Sequence, residues 1–425
     1  MTGVSRTFSS LENPHFRLLW ISMLFSFTAI QMTFLAQGVL TFRLTGTATA
    51  LGFVSLGWGV SQLPMSLVGG VAADRLHKRW LIIISQGAMA VVSAVTALLI
   101  QFDVIAVWHI FLLAIVAGAV FAFNVPARQA WIPELVPQDQ LMNAVALNSA
   151  AFTSTGIVGP GLAGILLAAP FIGLAGMYYL MAALFVIVVL LLLRIPGGEP
   201  STAREHDHPV RELMDGVRYV RNHAVLPAIL LFGFVPIVLG MSYRTFFPVF
   251  QEKVYGVGSG WLGAMGAVMA VGAVVGSLGV ASLSNTSRRS LVQAVLGVGF
   301  GLSLIVFAAA PTLPLGLAAL LLVGLTANGY WALNNTMVLG NADVEYHGRV
   351  MSIYMLSWSV MPFVAFPESA LVDQIGVQTT IAVVGAVLVV VLIAIAALMP
   401  GYRRLREQEG AVLVAEAMPV GSAGD

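Results

Sequence analysis

Gly70-Val71-Ala72-Ala73-Asp74-Arg75-Leu76-His77-Lys78-Arg79 is a short charged stretch set between two long apolar runs, residues 51–72 and 80–100. Each run is close to the ~20 residues that an α-helix needs to cross a bilayer. So short a connection makes the two helices antiparallel neighbours and leaves its Lys and Arg on one side of the membrane. The alternation continues along the chain, with ten further apolar runs at 18–40, 106–124, 141–168, 174–193, 224–250, 261–283, 291–309, 315–339, 350–372 and 379–399. A transmembrane barrel would instead show alternating segments of ~10 residues. The expected fold is an all-α integral membrane protein with twelve transmembrane helices.

Composition agrees. The 425 residues are 59% hydrophobic and 9% charged, with a mean hydropathy of +0.93, whereas soluble domains carry ~25% charge. Twelve helices of ~20 residues leave room for short loops and no large soluble domain. A net charge of +1 excludes nucleic-acid binding as the main business. The absence of cysteine excludes disulfides, thiolate metal sites and cysteine nucleophiles. The sequence has no Walker loop, dinucleotide fingerprint or nucleophile elbow. ATP-driven pumping within the chain is thereby excluded, and no catalytic residue, cofactor or metal is expected. The outer loops are too short to hold an enzyme's donor-binding domain.

Orientation follows from Lys and Arg, which cytoplasmic loops retain. With the N-terminus inside, seventeen of the twenty are cytoplasmic: Arg6, Arg17, Arg75, Lys78, Arg79, Arg128, Arg194, Arg204, Arg211, Arg218, Arg221, Arg288, Arg289, Arg349, Arg403, Arg404 and Arg406. Arg43, Lys253 and Arg244 are the exceptions, and Arg244 sits inside a span. The first apolar run is too long for a cleaved signal peptide and is expected to stay as an anchor. The chain then divides into a tail 1–17, a six-helix bundle 18–194, a central cytoplasmic loop 195–223, a second six-helix bundle 224–399 and a cytoplasmic tail 400–425. In the central loop, Val210, Leu213, Met214, Val217 and Val220 share one helical face and Arg211, Arg218 and Arg221 the other, which predicts a helix lying in the membrane interface.

The two bundles read as pseudo-symmetric repeats. Gly279-Val-Ala-Ser-Leu283-Ser-Asn-Thr-Ser-Arg288-Arg289 keeps the frame of the opening stretch and loses its acid. Repeats of this kind are a transporter signature. The Gly70, Asp74, Arg75, Arg79 pattern resembles the signature loop of the major facilitator superfamily, and the resemblance covers essentially the whole chain. Pro126-Ala-Arg128-Gln-Ala-Trp-Ile-Pro133-Glu134-Leu-Val-Pro137, Leu141-Met-Asn143-Ala, Leu147-Asn148-Ser, Arg211-Glu-Leu-Met-Asp-Gly216-Val-Arg218-Tyr219-Val220-Arg221 and Gly348-Arg349-Val-Met are similar to the branch of enterobactin exporters and macrolide-efflux proteins. That resemblance implies export of a small organic molecule, commonly in exchange for protons. The sequence departs from the branch in two places: Gly156 stands where an Arg is usual before Gly159-Pro160, and the first helix offers Gln31 and Gln37 in place of an acid.

Candidate sites follow. Gly70, Asp74, Arg75 and Arg79, joined by Arg128 and Arg349 from matching loops, are expected to form a conformational latch, since a carboxylate at a helix end pairs with Arg and with a neighbouring helix dipole. Membrane anchoring by the basic residues is the alternative. Glu368 and Arg244 each lie about seven residues outward of a helix centre, ~10 Å at 1.5 Å per residue. The resemblance makes their helices neighbours. An isolated charge there costs ~2.5 kcal/mol or more, so the pair reads as a proton-coupling site, a structural pair, or, with Pro367 kinking the helix, a Glu368 near the surface. Gln31, Gln62, Asn148, Thr155, Asn328, Trp331, Asn335, Tyr354 and Trp358 are expected to line a substrate cavity, with interhelical hydrogen bonding as the alternative. Gly156-Ile-Val-Gly159-Pro160-Gly161-Leu-Ala-Gly164 predicts close helix approach and a bend, and resembles an exporter motif. Glu205-His206-Asp207-His208 reads as solvated loop and His109 as packing.

The expected function is secondary export of a siderophore, macrolide or other drug-like compound, with two bundles rocking about a central cavity and proton antiport as the drive. An uncoupled or import-direction transporter is the alternative, and a transport-inactive sensor or assembly partner is the non-transport one. The partners are a small organic substrate, protons and the lipid bilayer of a bacterial inner membrane.

Overall fold

A computed structural model describes residues 9–169, 171–196, 209–283 and 288–417. All regular structure among them is helical: α1 Pro14–Thr45, α2 Ala48–Arg75, α3 Lys78–Gln101, α4 Val107–Leu135, α5 Leu141–Ala168, α6 Gly173–Leu193, α7 Pro209–Asn222, α8 Leu226–Val235, α9 Trp261–Ser282, α10 Arg289–Ala309, α11 Leu313–Asn341, α12 His347–Ile375, α13 Val377–Leu398 and α14 Pro400–Ala417. Eleven helical stretches are long and apolar enough to cross a membrane. The 28-residue α2 completes the twelve. Successive connections alternate along the chain between Arg-rich and Arg-poor, so each unit has an Arg-rich end and an Arg-poor end.

Helix α1 starts four residues earlier than hydropathy predicts, for a local reason. The Asn13 side chain accepts from the backbone N–H groups of His15 and Phe16, and Pro14 occupies the first helical position, where its missing N–H costs nothing. Asn13 Nδ2 also donates to the Leu135 carbonyl at 2.6 Å, tying the start of α1 to the end of α4. Gly46, at φ 66°, terminates α1 in the left-handed conformation.

The seventh crossing differs from its prediction as one continuous helix. It runs over Leu226–Val254, but after α8 the backbone widens to a π turn at Pro236–Gly240, tightens to a 3-10 turn at Met241–Phe246 and widens again at Phe250–Val254. Pro236 and Pro248 lack the N–H that an α-helical ladder needs and clash with the preceding turn. Alternate hydrogen-bond registers absorb the defect.

The chain packs as two compact units. One comprises Met1–Pro209, Arg244–Ala267 and Pro362–Val377; the other comprises Val210–Tyr243, Val268–Met361 and Gln378–Asp425. Lipid supplies no hydrophobic drive between helices, so each unit is held by packing and buried polar contacts, while Ile84, Ile165 and Leu398 remain exposed. In the first unit, Phe27, Met32, Met177, Tyr178, Met181 and Phe185 form one core and Phe16, Ile82, Trp131, Val188 and Leu192 a second. In the second unit, Ile229, Leu333, Met337 and Tyr354 form the core, and Gln293 Nε2 donates to Asn334 Oδ1 at 2.7 Å inside it.

The two helices outside the crossings, α7 and α14, pack within the second unit. Tyr219 of α7 stacks on Tyr346 and exchanges hydrogen bonds with Asp343, while Met214 and Val217 stay exposed on the opposite face. Tyr402 of α14 is buried and donates to the Ser290 carbonyl at 2.7 Å. Beyond it, the Glu409 carboxylate accepts from the Ser290 N–H at 2.9 Å and from its hydroxyl, capping the first turn of α10.

Candidate functional site

At the Arg-rich end, Arg79 Nη2 donates to the Leu193 carbonyl at 2.8 Å and its guanidinium lies 5.4 Å from the Trp80 ring centroid. A cation thus meets the negative end of α6. Lys78 Nζ and Glu134 Oε1 form a salt bridge of 2.5 Å between α3 and α4. Arg128 is buried in α4, with Nε donating to Asn124 Oδ1 and Nη1 to Ser22 Oγ, both at 3.0 Å. Arg349 is half-buried in the second unit, its guanidinium 5.2 Å from the Tyr346 ring centroid. Gly216 of α7 packs against it so closely that a Cβ there would stand 3.0 Å from the Arg349 Cβ. The side chains of Asp74 and Arg75, and the surroundings of Gly70, lie outside the described residues, as does Glu205-His206-Asp207-His208.

A second group builds up on α1. Residues 27, 31 and 34 recur at helical spacing, so Phe27, Gln31 and Phe34 share a face. Gln31 lies against Gly159 of α5, where a Cβ would come within 2.5 Å of the Gln31 Cβ. Phe27 meets Phe152 edge-on with ring centroids 5.1 Å apart. Phe34 meets Trp58 of α2 at 4.8 Å, and Trp58 meets Phe121 of α4 at 5.5 Å. Trp58 Nε1 donates to Gln62 Oε1 at 2.9 Å. Phe34 and Phe152 remain about half exposed, at 47% and 51%. The face therefore offers aromatic surface flanked by the half-buried amides of Gln31, Gln62 and Asn148. Thr155 turns inward, its hydroxyl satisfied by the Phe152 carbonyl at 2.8 Å. Trp58, Phe34 and Phe121 escape a sequence reading, because aromatics in a membrane helix look alike whether they meet lipid or one another.

The second unit carries its own polar face on α11 and α12. Asn328 Nδ2 donates to the Gly324 carbonyl at 3.2 Å. One and two turns on, Trp331 Nε1 and Asn335 Oδ1 are a buried donor and a buried acceptor with no hydrogen-bond partner among the described residues. Trp358 is half-buried and Tyr354 is buried in the core, so Tyr354 sits behind this face rather than on it.

Glu368 and Arg244 both fall in the first unit. Glu368 is buried at 6% exposure beside Pro367, whereas Arg244 is exposed on the 3-10 turn of the broken crossing. The exit from α-helical geometry around Arg244 is what hydropathy could not register.

In the first unit, the small-residue run of α5 has a defined partner. A Cβ at Gly164 would lie 2.4 Å from the Gly263 Cα, and one at Gly266 would lie 2.6 Å from Pro160 Cβ. Helices α5 and α9 therefore meet backbone to backbone.

Twelve membrane-crossing helices with polar and aromatic faces inside each unit define a multi-pass membrane transporter architecture. The profile of the Major Facilitator Superfamily matches residues 19–367, and the chain belongs to that family. Its members are transporters, and this protein is not an enzyme. The chain is 26% identical over 345 residues to the enterobactin exporter EntS of Citrobacter koseri, covering 80% of this chain and 81% of that one. It is 25% identical over the same length to EntS of Escherichia coli. Among solved structures, it resembles a bacterial homologue of the lysosomal transporter Spinster in an inward-facing conformation (TM-score 0.73, 13% identity, 96% of this chain and 99% of that one). It also resembles a D-xylose-proton symporter (TM-score 0.73, 12% identity, 92% and 99%). Those two likenesses concern the fold.

Proposed function

We propose that the protein exports a small organic molecule, of siderophore or drug-like class, across a bacterial inner membrane, in exchange for protons. The observation that carries this reading is the similarity to enterobactin exporters over 80% of the chain. The Arg-rich end is cytoplasmic with both termini, as the positive-inside bias requires. Substrate contacts are offered in the first unit by the aromatic and amide face of α1, α2 and α5, and, taken separately, in the second unit by Asn328, Trp331 and Asn335 of α11. Trp331 Nε1 and Asn335 Oδ1 suit this role, since buried polar atoms without protein partners are costly unless a ligand or water meets them. Glu368 is the proton-responsive group, with Arg244 as the charge that answers it. Protonation shifts the balance of states by as much as proton affinity differs between them. Gly70, Asp74, Arg75, Arg79 and Arg128 are the latch residues of the first unit, and Arg349 is that of the second.

Purified protein in liposomes with an imposed pH gradient, tested against a panel of siderophores and antibiotics, checks the reading. Substrate flux should follow the gradient in the parent and lose that dependence in Glu368→Gln. Flux that ignores both the gradient and the substitution overturns proton coupling. A second reading, uncoupled transport, draws on α1, which carries Gln31 and Gln37 and no acidic residue.

A further inference from the structure

Asp373 lies in the last turn of α12, where its carboxylate faces the negative end of its own helix dipole. The position makes sense only through its partner. Oδ1 accepts from the Ala48 N–H at 2.8 Å, and Oδ2 accepts from the Thr49 N–H at 2.8 Å and the Thr49 hydroxyl at 2.7 Å. These are the orphan donors of the first turn of α2. Thr47 occupies the N-cap of that helix, yet its side chain makes no capping bond. The cap is delivered instead from 324 residues downstream in the chain.

The surroundings show what this contact joins. At the same Arg-poor end, Arg43 Nη2 donates to Ser259 Oγ at 2.9 Å, and Lys253 Nζ sits 5.5 Å from the Phe42 ring centroid. The charge of Lys253 also acts on the Asp373 carboxylate. A Cβ at Gly52 would stand 2.7 Å from the Ser369 Cβ, so α2 and α12 touch directly just beneath the cap. Each contact pairs a helix of the first six crossings with a helix or connection of the last six. The polar ones lie at the surface, with Asp373 exposed and Thr49 half-buried. Water can replace every partner on separation, so the bonds can be exchanged without leaving a buried group unpaired.

We propose that Asp373 and the first turn of α2 form a releasable latch at the Arg-poor end, opposite the Asp74 loop, and that substrate passes this end only when the latch opens. The inference rests on the transporter reading above. It assigns Asp373 a gating role in place of a permanent helix cap. A permanent cap would keep its bonds in every state, whereas a latch sets the population of closed and open ends.

The 425 residues contain no cysteine, so spin labels can be placed at will. Phe102→Cys and Gly258→Cys put labels on exposed positions at this end, and a side chain at Gly258 meets nothing within 4 Å. Electron-electron distance distributions in nanodiscs, without substrate, then read the latch directly. Asp373→Ala should raise the ratio of long to short distances by about tenfold or more, because three charge-assisted bonds are lost. Thr49→Val, which removes only the hydroxyl contact, should shift the ratio in the same direction by less. Unchanged distributions in both variants, or in Thr49→Val alone if Asp373→Ala does not fold, overturn the latch. Because the readout needs no substrate and no gradient, it stands or falls separately from the export reading.

Discussion

Lys78 and Glu134 meet at 2.5 Å with unequal exposure, the Lys78 side chain at 8% and the Glu134 side chain at 34%. The inequality makes the pair's two halves energetically different. Glu134→Gln leaves a buried ammonium without its counter-charge and should destabilise the protein by about 1–3 kcal/mol. Lys78→Met leaves a carboxylate that water already reaches and should cost less than about 1 kcal/mol. Thermal unfolding of the two variants in detergent gives the order; equal losses would contradict it.

Tyr219 and Tyr346 stack with centroids 4.0 Å apart and planes 5° from parallel. Tyr219→Ala should release α7 from the second unit, seen as faster hydrogen exchange across Pro209–Asn222, with a loss of about 1 kcal/mol from the ring pair. Desolvation raises the Tyr219 phenol above its ordinary pKa, the hydrogen bond from the Asp343 N–H opposing and the Asp343 carboxylate adding to the rise. The linked stabilisation is therefore complete below the ordinary phenol pKa and lost as pH rises through the folded value. Protection factors in α7, exchange rates corrected for the intrinsic pH dependence of amides, should fall only in strongly alkaline buffer.

Two glycines of α5 three residues apart should behave oppositely. Gly164→Val has no room, since even a Cβ would lie 2.4 Å from the Gly263 Cα, and such overpacking costs about 1–3 kcal/mol or more. Gly161→Ala meets nothing within 4 Å and should be neutral or stabilising by up to about 1 kcal/mol. Melting temperatures of the pair decide whether the α5–α9 contact carries the packing.

Phe34→Ala and Phe152→Ala test the aromatic face of the first unit. Both rings are half exposed, so stability should change little. KM for substrate should rise by roughly five- to tenfold, about 1 kcal/mol each, with kcat nearly constant. A fall in kcat at unchanged KM would assign the rings to conformational change instead of binding.

The crossings were legible because burial in lipid demands long apolar runs and because Lys and Arg mark their ends. Periodicity also exposed α7, whose charged and apolar faces alternate at helical spacing. Lateral neighbours were not legible. Glu134 reads as an ordinary loop acid until α3 brings Lys78 beside it, and Asp373 reads as an end-of-helix charge until α2 supplies three donors. The break near Arg244 was foreshadowed by Pro236, Gly240 and Pro248, which hydropathy averages away. Of the cavity candidates, Tyr354 is buried behind its face and Thr155 is satisfied by its own helix. Polarity in a membrane helix marks a need for partners and leaves open which partner answers.

The Glu409 cap on α10 has a consequence for how the protein is made. Ser290 waits for a residue 119 positions downstream, which a ribosome adding 5–20 residues per second delivers about 6–24 s later. The start of α1, capped by adjacent Asn13, needs no such wait. The first turn of α10 therefore lacks this cap until translation has passed position 409, so the second unit is completed at α10 only after its other crossings have been made.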